Sequence, residues 1–174
     1  MQNVKAEKQE PVSFAGIRFG DKVDVYEYLQ KHIKQDIIIT GSTALKAYGL
    51  TNESDEFDLD LIVHKPTEET QKFFDFLSSF FPEHEHEKSY MKPDRSDFDI
   101  GKLSMFRLLG PGQQDFKVHI FYKDKAQQVT HYKFRDKTYP IALPGDIFLA
   151  KKRFARPKDY QQLGAICAKI LKPE

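Results

Sequence analysis

Two short stretches of the chain hold residue types that could do chemistry together. The first is Gly41-Ser42, directly after the run Ile37-Ile38-Ile39-Thr40. Glycine lets a backbone turn and lets a ligand approach it closely. Ser42 offers a hydroxyl just before an expected helix start, where free N–H groups favour phosphate. The second is Asp58 and Asp60, which alternate with Phe57, Leu59 and Leu61. That spacing puts both carboxylates on one face of a strand. Carboxylates so placed repel each other unless a cation lies between them. Their hard oxygens suit Mg²⁺ or Mn²⁺, and Mg²⁺ commonly combines one or two carboxylates with substrate phosphates. Together the two stretches imply a site for a metal-bound nucleoside triphosphate.

The elements that must position this site are readable from periodicity. Residues 1–12 are polar and aperiodic and read as a flexible tail, and 13–174 as a single domain. Asp21 is placed to cap a helix that runs to about Gln35, with Val23, Tyr26, Leu29 and Ile33 as its apolar stripe. A buried strand is expected over Asp36–Thr40, one or two helical turns over Thr43–Tyr48, and a strand over Phe57–Val63. Pro66-Thr67 opens a helix whose inner face is Phe73, Phe76 or Leu77, and Phe80, and Pro82 stops it. Strands are expected over 100–109 and 115–122 around Gly110-Pro111-Gly112, with shorter ones at Tyr132–Arg135 and Lys137–Ile141. Pro144 starts a helix containing Ile147, Ala150 and Phe154, and Pro157 divides it from a last helix near Asp159–Leu171. Asp159 reads as a candidate cap for that last helix. With 15 Phe and no Trp, a Phe-rich core is expected.

The motifs also resemble a family. Ile39-Thr40-Gly41-Ser42-Thr43-Ala44-Leu45 followed by Phe57-Asp58-Leu59-Asp60-Leu61 looks like the signature of the DNA polymerase beta-like nucleotidyltransferase superfamily. Leu149-Ala150-Lys151, then Arg156-Pro157-Lys158-Asp159-Tyr160 and Leu163, resembles the C-terminal helix pair of the nucleotidyltransferase toxins associated with abortive infection. The resemblance spans about residues 36–166. It implies an α+β fold, a nucleotidyltransferase-like mixed β-sheet with flanking helices and a C-terminal helix pair. It also implies that Gly41 and Ser42 hold triphosphate oxygens, that Asp58 and Asp60 ligate two metal ions, and that Lys151 approaches the phosphates.

One position departs from that pattern. Active members carry a third carboxylate on a later strand, which binds the catalytic metal and orients the attacking hydroxyl. Here the matching stretch is Phe116-Lys117-Val118-His119-Ile120-Phe121, and His119 stands in its place. An imidazole can ligate Mn²⁺ through one nitrogen or act as a base near neutral pH, but it brings one negative charge fewer. Asp115 shares its face but lies about 13 Å along the strand. Glu56 stands where Ser or Thr is common, and Gln162 where the toxins often have Asp.

Composition bounds the partners. Lys plus Arg is 27 and Asp plus Glu is 26, a net charge of +1 that argues against a generic polyanion binder. The sum conceals an acidic block at 51–60 and a basic block at 151–158, expected to meet at one cleft. A single cysteine, Cys167, allows no intramolecular disulfide and no Cys-rich zinc site. No stretch reads as a signal peptide or membrane span, so a cytoplasmic protein is expected. His84 and His86 alternate with Glu83, Glu85 and Glu87 and read as a solvated loop before a metal face. The expected activity is transfer of a nucleoside monophosphate to an acceptor such as tRNA, a small molecule or a protein, with release of pyrophosphate. A partner protein or a homo-oligomer could complete acceptor recognition. The alternative is a catalytically silent nucleotide-binding or regulatory module of the same fold, or a scaffold for protein interaction.

Overall fold

Three consecutive β-branched residues, Ile37-Ile38-Ile39, favour extended backbone and carry apolar bulk on both faces. They form β1 (Ile37–Thr40) in the interior of a six-stranded sheet. The computed structural model describes residues 17–51, 56–79, 103–154 and 157–171. Around β1 run α1 (Lys22–His32), α2 (Gly41–Ala47), β2 (Asp58–His64), α3 (Glu68–Ser78), β3 (Leu103–Leu109) and β4 (Asp115–Lys123). β5 (Val129–Phe134), β6 (Lys137–Ala142), α4 (Pro144–Phe154) and α5 (Pro157–Leu171) follow. The strand order is β3-β4-β2-β1-β6-β5. β2 is antiparallel to β1 and parallel to β4, and β1 is parallel to β6. The fold is α+β with a mixed sheet, as the sequence leads one to expect.

Register decides which side chains share a face. Leu59, Leu61 and Val63 stand beside Val118, Ile120 and Tyr122 of β4, and Ile39 of β1 aligns with Leu61 and Ile141. This apolar face is covered by α1 and α3. Tyr26 meets Tyr139 edge-on at 5.4 Å between ring centroids, and Phe74 stacks over Phe106 at 6.1 Å. Asp58 and Asp60 belong to the opposite face.

The helix ends follow local chemistry. Asp21 caps α1 by accepting the Asp24 N–H at 2.9 Å, and Thr67 caps α3 by accepting the Thr70 N–H at 3.2 Å. Gly49, at φ +70°, follows the end of α2 in the left-handed region that glycine adopts readily.

Several packing expectations change. The α1 stripe is Val25, Tyr26 and Leu29, while Val23 is only partly buried and borders an open cavity. In α3 the buried aromatic is Phe74, and Leu77 rather than Phe76 faces inward; Phe76 is 53% exposed. The cluster at 73–77 is therefore only partly core. Among the described residues Ile and Leu outnumber Phe in the core, because β1 and β2 place Ile37, Ile38, Ile39, Leu59, Leu61 and Ile62 there and no Phe. Residues 1–12, Phe80, Pro82, His84, His86 and the whole stretch 83–97 lie outside the described residues. No helix among the described residues is long and apolar enough to cross a membrane.

One polar contact ties α1 to the sheet. The Tyr26 hydroxyl donates to the Ile37 carbonyl at 2.7 Å in a buried setting. Burial pushes this phenol well above its ordinary range. Tyr26→Phe keeps the ring and leaves that carbonyl without its donor, so it should lower stability by about 1 kcal/mol. Urea unfolding followed by circular dichroism reads this directly, and an unchanged midpoint would show that the bond contributes nothing.

Candidate active site

β1 delivers Thr40 opposite Asp60 of β2, and β2 delivers Asp60 beside His119 of β4. Residues aligned in this way share a face, so Thr40, Asp60 and His119 form one row across three strands. His119 Nδ1 lies 2.9 Å from Asp60 Oδ1. Both side chains are partly exposed, so the pair is open to a ligand. For a neutral imidazole beside an ionised Asp60, the shared hydrogen sits on Nδ1 and Nε2 keeps its lone pair.

The other Asp60 oxygen explains Gly41. Gly41 opens α2 at φ +65°, and a Cβ built on it would fall 2.4 Å from Asp60 Oδ2. Real atoms do not approach so closely. The glycine is needed twice, for its backbone angle and for the space that the carboxylate occupies. The turn and the carboxylate strand therefore converge at one end of the interior strands. Ser42 lies within the first turn of α2 rather than before it, since the helix begins at Gly41.

A second row lies one step along. Asp58 aligns with Lys117 of β4, and Lys117 aligns with Arg107 of β3. Each carboxylate of β2 thus has a nitrogen-bearing neighbour on β4: Lys117 beside Asp58, His119 beside Asp60. Lys117 and Arg107 are site residues that the sequence reading missed. The alternation of Phe116–Phe121 already put Lys117 on the His119 face, but only the β2–β4 pairing puts it beside Asp58. Asp115 ends β4 opposite Leu109, away from the Asp60 row.

The C-terminal helices reach the turn through a polar chain. Lys151 on α4 donates from Nζ to Gln162 Oε1 on α5. The Gln162 amide in turn points Nε2 at Ser42 Oγ, 3.4 Å away. Lys151 Nζ also lies 3.7 Å from Asp159 Oδ1, whose side chain is 0% exposed. A carboxylate buried so completely requires a cationic or hydrogen-bonding neighbour. Asp159 is thus paired across α4 and α5 rather than serving as a simple cap. Lys151 is buried with it, its ammonium inside the helix pair. Gln162 joins Lys151 to Ser42.

Donor chemistry bears on whether a metal fits. Among the described residues, no group of three or more His, Cys, Asp or Glu is arranged to hold a metal ion. A closed protein cage is therefore not what these residues build. Two carboxylates on one strand face do fit a Mg²⁺ whose remaining positions belong to phosphate and water.

No family model and no curated protein matches the chain. Among solved structures, a provisionally assigned nucleotidyltransferase from Thermotoga maritima is similar at 15% identity, with a TM-score of 0.47. The match covers 84% of this chain and 91% of that one. An antigenic nucleotidyltransferase-like protein from Paracoccidioides brasiliensis is similar at 17% identity and a TM-score of 0.47, covering 86% of this chain and 75% of that one.

Proposed function

We propose that the chain is a nucleotidyltransferase that moves a nucleoside monophosphate from a nucleoside triphosphate to an acceptor. The observation that carries this reading is the convergence of Gly41, Asp60 and His119 at one end of the interior strands. A glycine stripped of its Cβ under a carboxylate, with an imidazole held by that carboxylate, is a costly arrangement for a merely structural turn.

The roles follow from the geometry. Asp60 Oδ1 fixes the His119 ring and leaves Nε2 as the proton acceptor. The acceptor hydroxyl gives its proton to that nitrogen as its oxygen bonds to the α-phosphorus. The bond from the α-phosphorus to the bridging oxygen breaks, and pyrophosphate leaves with the electron pair. Gly41 and Ser42 border the triphosphate oxygens. Lys117 and Arg107, on the same face, balance part of the phosphate charge. Lys151 acts at one remove, holding Gln162 and through it Ser42. A Mg²⁺ or Mn²⁺ bound by Asp58 and Asp60 would supply charge neutralisation at the phosphates. The acceptor supplies a hydroxyl, from tRNA, a small molecule or a protein.

Purified protein incubated with labelled nucleoside triphosphates, Mg²⁺ or Mn²⁺, and tRNA, aminoglycoside and protein acceptors is the direct test. Transfer lost in Asp58→Ala supports the reading. Absence of transfer under every condition, with Asp58→Ala binding nucleotide as well as wild type, sinks it.

A second reading rests on one specific observation: His119 stands beside Asp60 where a third carboxylate would complete the acidic set. Under that reading the site binds nucleotide without turning it over. His119→Asp separates the two. With His119 as the proton acceptor, the variant should lose about a hundredfold in rate. A gain of activity in His119→Asp, with wild type binding nucleotide calorimetrically but inert, would establish the silent module instead.

A further inference from the structure

The apolar face of the sheet holds an opening that the proposed reaction does not use. It has a volume of about 620 Å³, within the roughly 300–1,000 Å³ typical of small-molecule sites. Phe57, Phe116, Phe134 and Tyr139 form much of its wall. Phe57 and Phe116 stand 5.4 Å apart between centroids, their planes tilted by 47°. Ile39 and Ile141 make its floor, which places it on the side of the sheet away from Asp58 and Asp60.

The rim is built at a cost. β5 and β6 join through Arg135-Asp136, which take φ values of +47° and +61°. Neither is glycine, and left-handed backbone costs an ordinary residue about 1–2 kcal/mol. This tight turn, where Asn-Gly is usual, is held over the opening by its own side chain. Arg135 pairs with Asp21 Oδ2 at 2.8 Å, and its guanidinium lies 5.0 Å from the Phe134 ring centre. Asp21 is also the α1 cap, so the rim is fixed to the helix on the far side of the cavity.

Charge sets the class of ligand. Asp21 is taken up by Arg135 and the Asp24 N–H. Lys22 and Lys46 both line the opening; Lys22 donates to Thr43 Oγ1 at 2.8 Å. Lys46 is exposed and has no ion-pair partner among the described residues. Among the described residues, Glu56 is the one lining carboxylate without such a tie. Among the same residues, counting Arg135, three cations face two carboxylates.

We propose that this cavity is a second ligand site, for a small planar aromatic molecule that carries a negative charge. It adjoins the candidate active site at two points of the backbone, Ser42-Thr43 and Phe57-Asp58, yet requires nothing of the nucleotide reading. The chain contains no tryptophan, so the emission of a naphthalene probe is read without an indole background. The full-length protein is titrated with naphthalene-1-sulfonate and, separately, with 1-naphthylmethylamine, by fluorescence and calorimetry. The expected result is saturable one-to-one binding of the sulfonate and weaker binding of the amine. Ala47→Phe fills the cavity from α2 and should weaken the sulfonate about tenfold or more. Lys46→Glu, at an exposed position, should weaken it about threefold while improving the amine. Lys46→Glu keeps the test decisive should Ala47→Phe fail to fold. Lack of saturable binding to wild type, or equal binding to sulfonate and amine unaffected by Lys46→Glu, would overturn the proposal.

Discussion

Asp60→Asn should reduce nucleotide transfer by about a thousandfold while leaving the protein folded. The two side chains have nearly the same shape, so the space above Gly41 stays filled. What changes is charge. Asn can accept the His119 Nδ1–H bond, but it offers no negative charge to favour that tautomer or to stabilise an imidazolium once the proton arrives. It also removes one hard oxygen donor from the β2 face. Single-turnover rates with a labelled triphosphate measure the effect, and thermal unfolding checks the fold. Asp58→Asn provides the contrast, because Asp58 aligns with Lys117 instead of an imidazole. Its loss should reduce nucleotide binding as well as rate. If Asp60→Asn kept a tenth of the wild-type rate or more, the Asp60–His119 pair would have no part in the chemistry.

Gly41→Ala should cost the fold far more than the same methyl group added at Gly49. Two costs combine at Gly41. The first is left-handed backbone at φ +65°, about 1–2 kcal/mol for a residue with a Cβ. The second is steric: the new carbon would fall 2.4 Å from Asp60 Oδ2 and 3.1 Å from Asp60 Cβ. Relief requires moving a carboxylate that is bonded to His119, an overpacking cost of about 1–3 kcal/mol. The sum is roughly 3 kcal/mol or more. Gly49→Ala is the control. Gly49 has φ +70°, but a Cβ there meets nothing within 4 Å, so only the backbone cost applies. Denaturant titration of the two variants isolates the clash as their difference. Equal losses would mean that Asp60 does not press on the turn as described.

The site was partly legible before the fold was. Gly41-Ser42 and Asp58/Asp60 stand out because each signal is local: a β-branched run ending in glycine, and alternation over a few residues. Strand and helix positions were legible for the same reason, down to the cap at Asp21 and the helix opening at Pro66-Thr67. What could not be read was anything set by pairing between distant strands. That β2 lies parallel to β4, in a register that puts Asp60 beside His119 and Asp58 beside Lys117, depends on the whole sheet order. Lys151 illustrates the same gap on helices. Its type and place recommended a phosphate contact, yet burial beside Asp159 and Gln162 turns its ammonium into a strut within the helix pair. The core misreadings have a simpler cause. Phe73, Phe74 and Phe76 crowd one short helix, and helical geometry allows only part of such a run to face inward.

The bond between Gln162 and Ser42 spans 120 positions of the chain. During synthesis at about 5–20 residues per second, roughly 6–24 s pass between the emergence of one side chain and the other. The turn at Gly41 can meet Asp60 early, since β1 and β2 are neighbours in the chain and pair antiparallel. The strut from α5 arrives last. A nascent chain therefore carries its carboxylates and its glycine turn together well before Ser42 receives its partner, and completion of the site waits until α5 has been made.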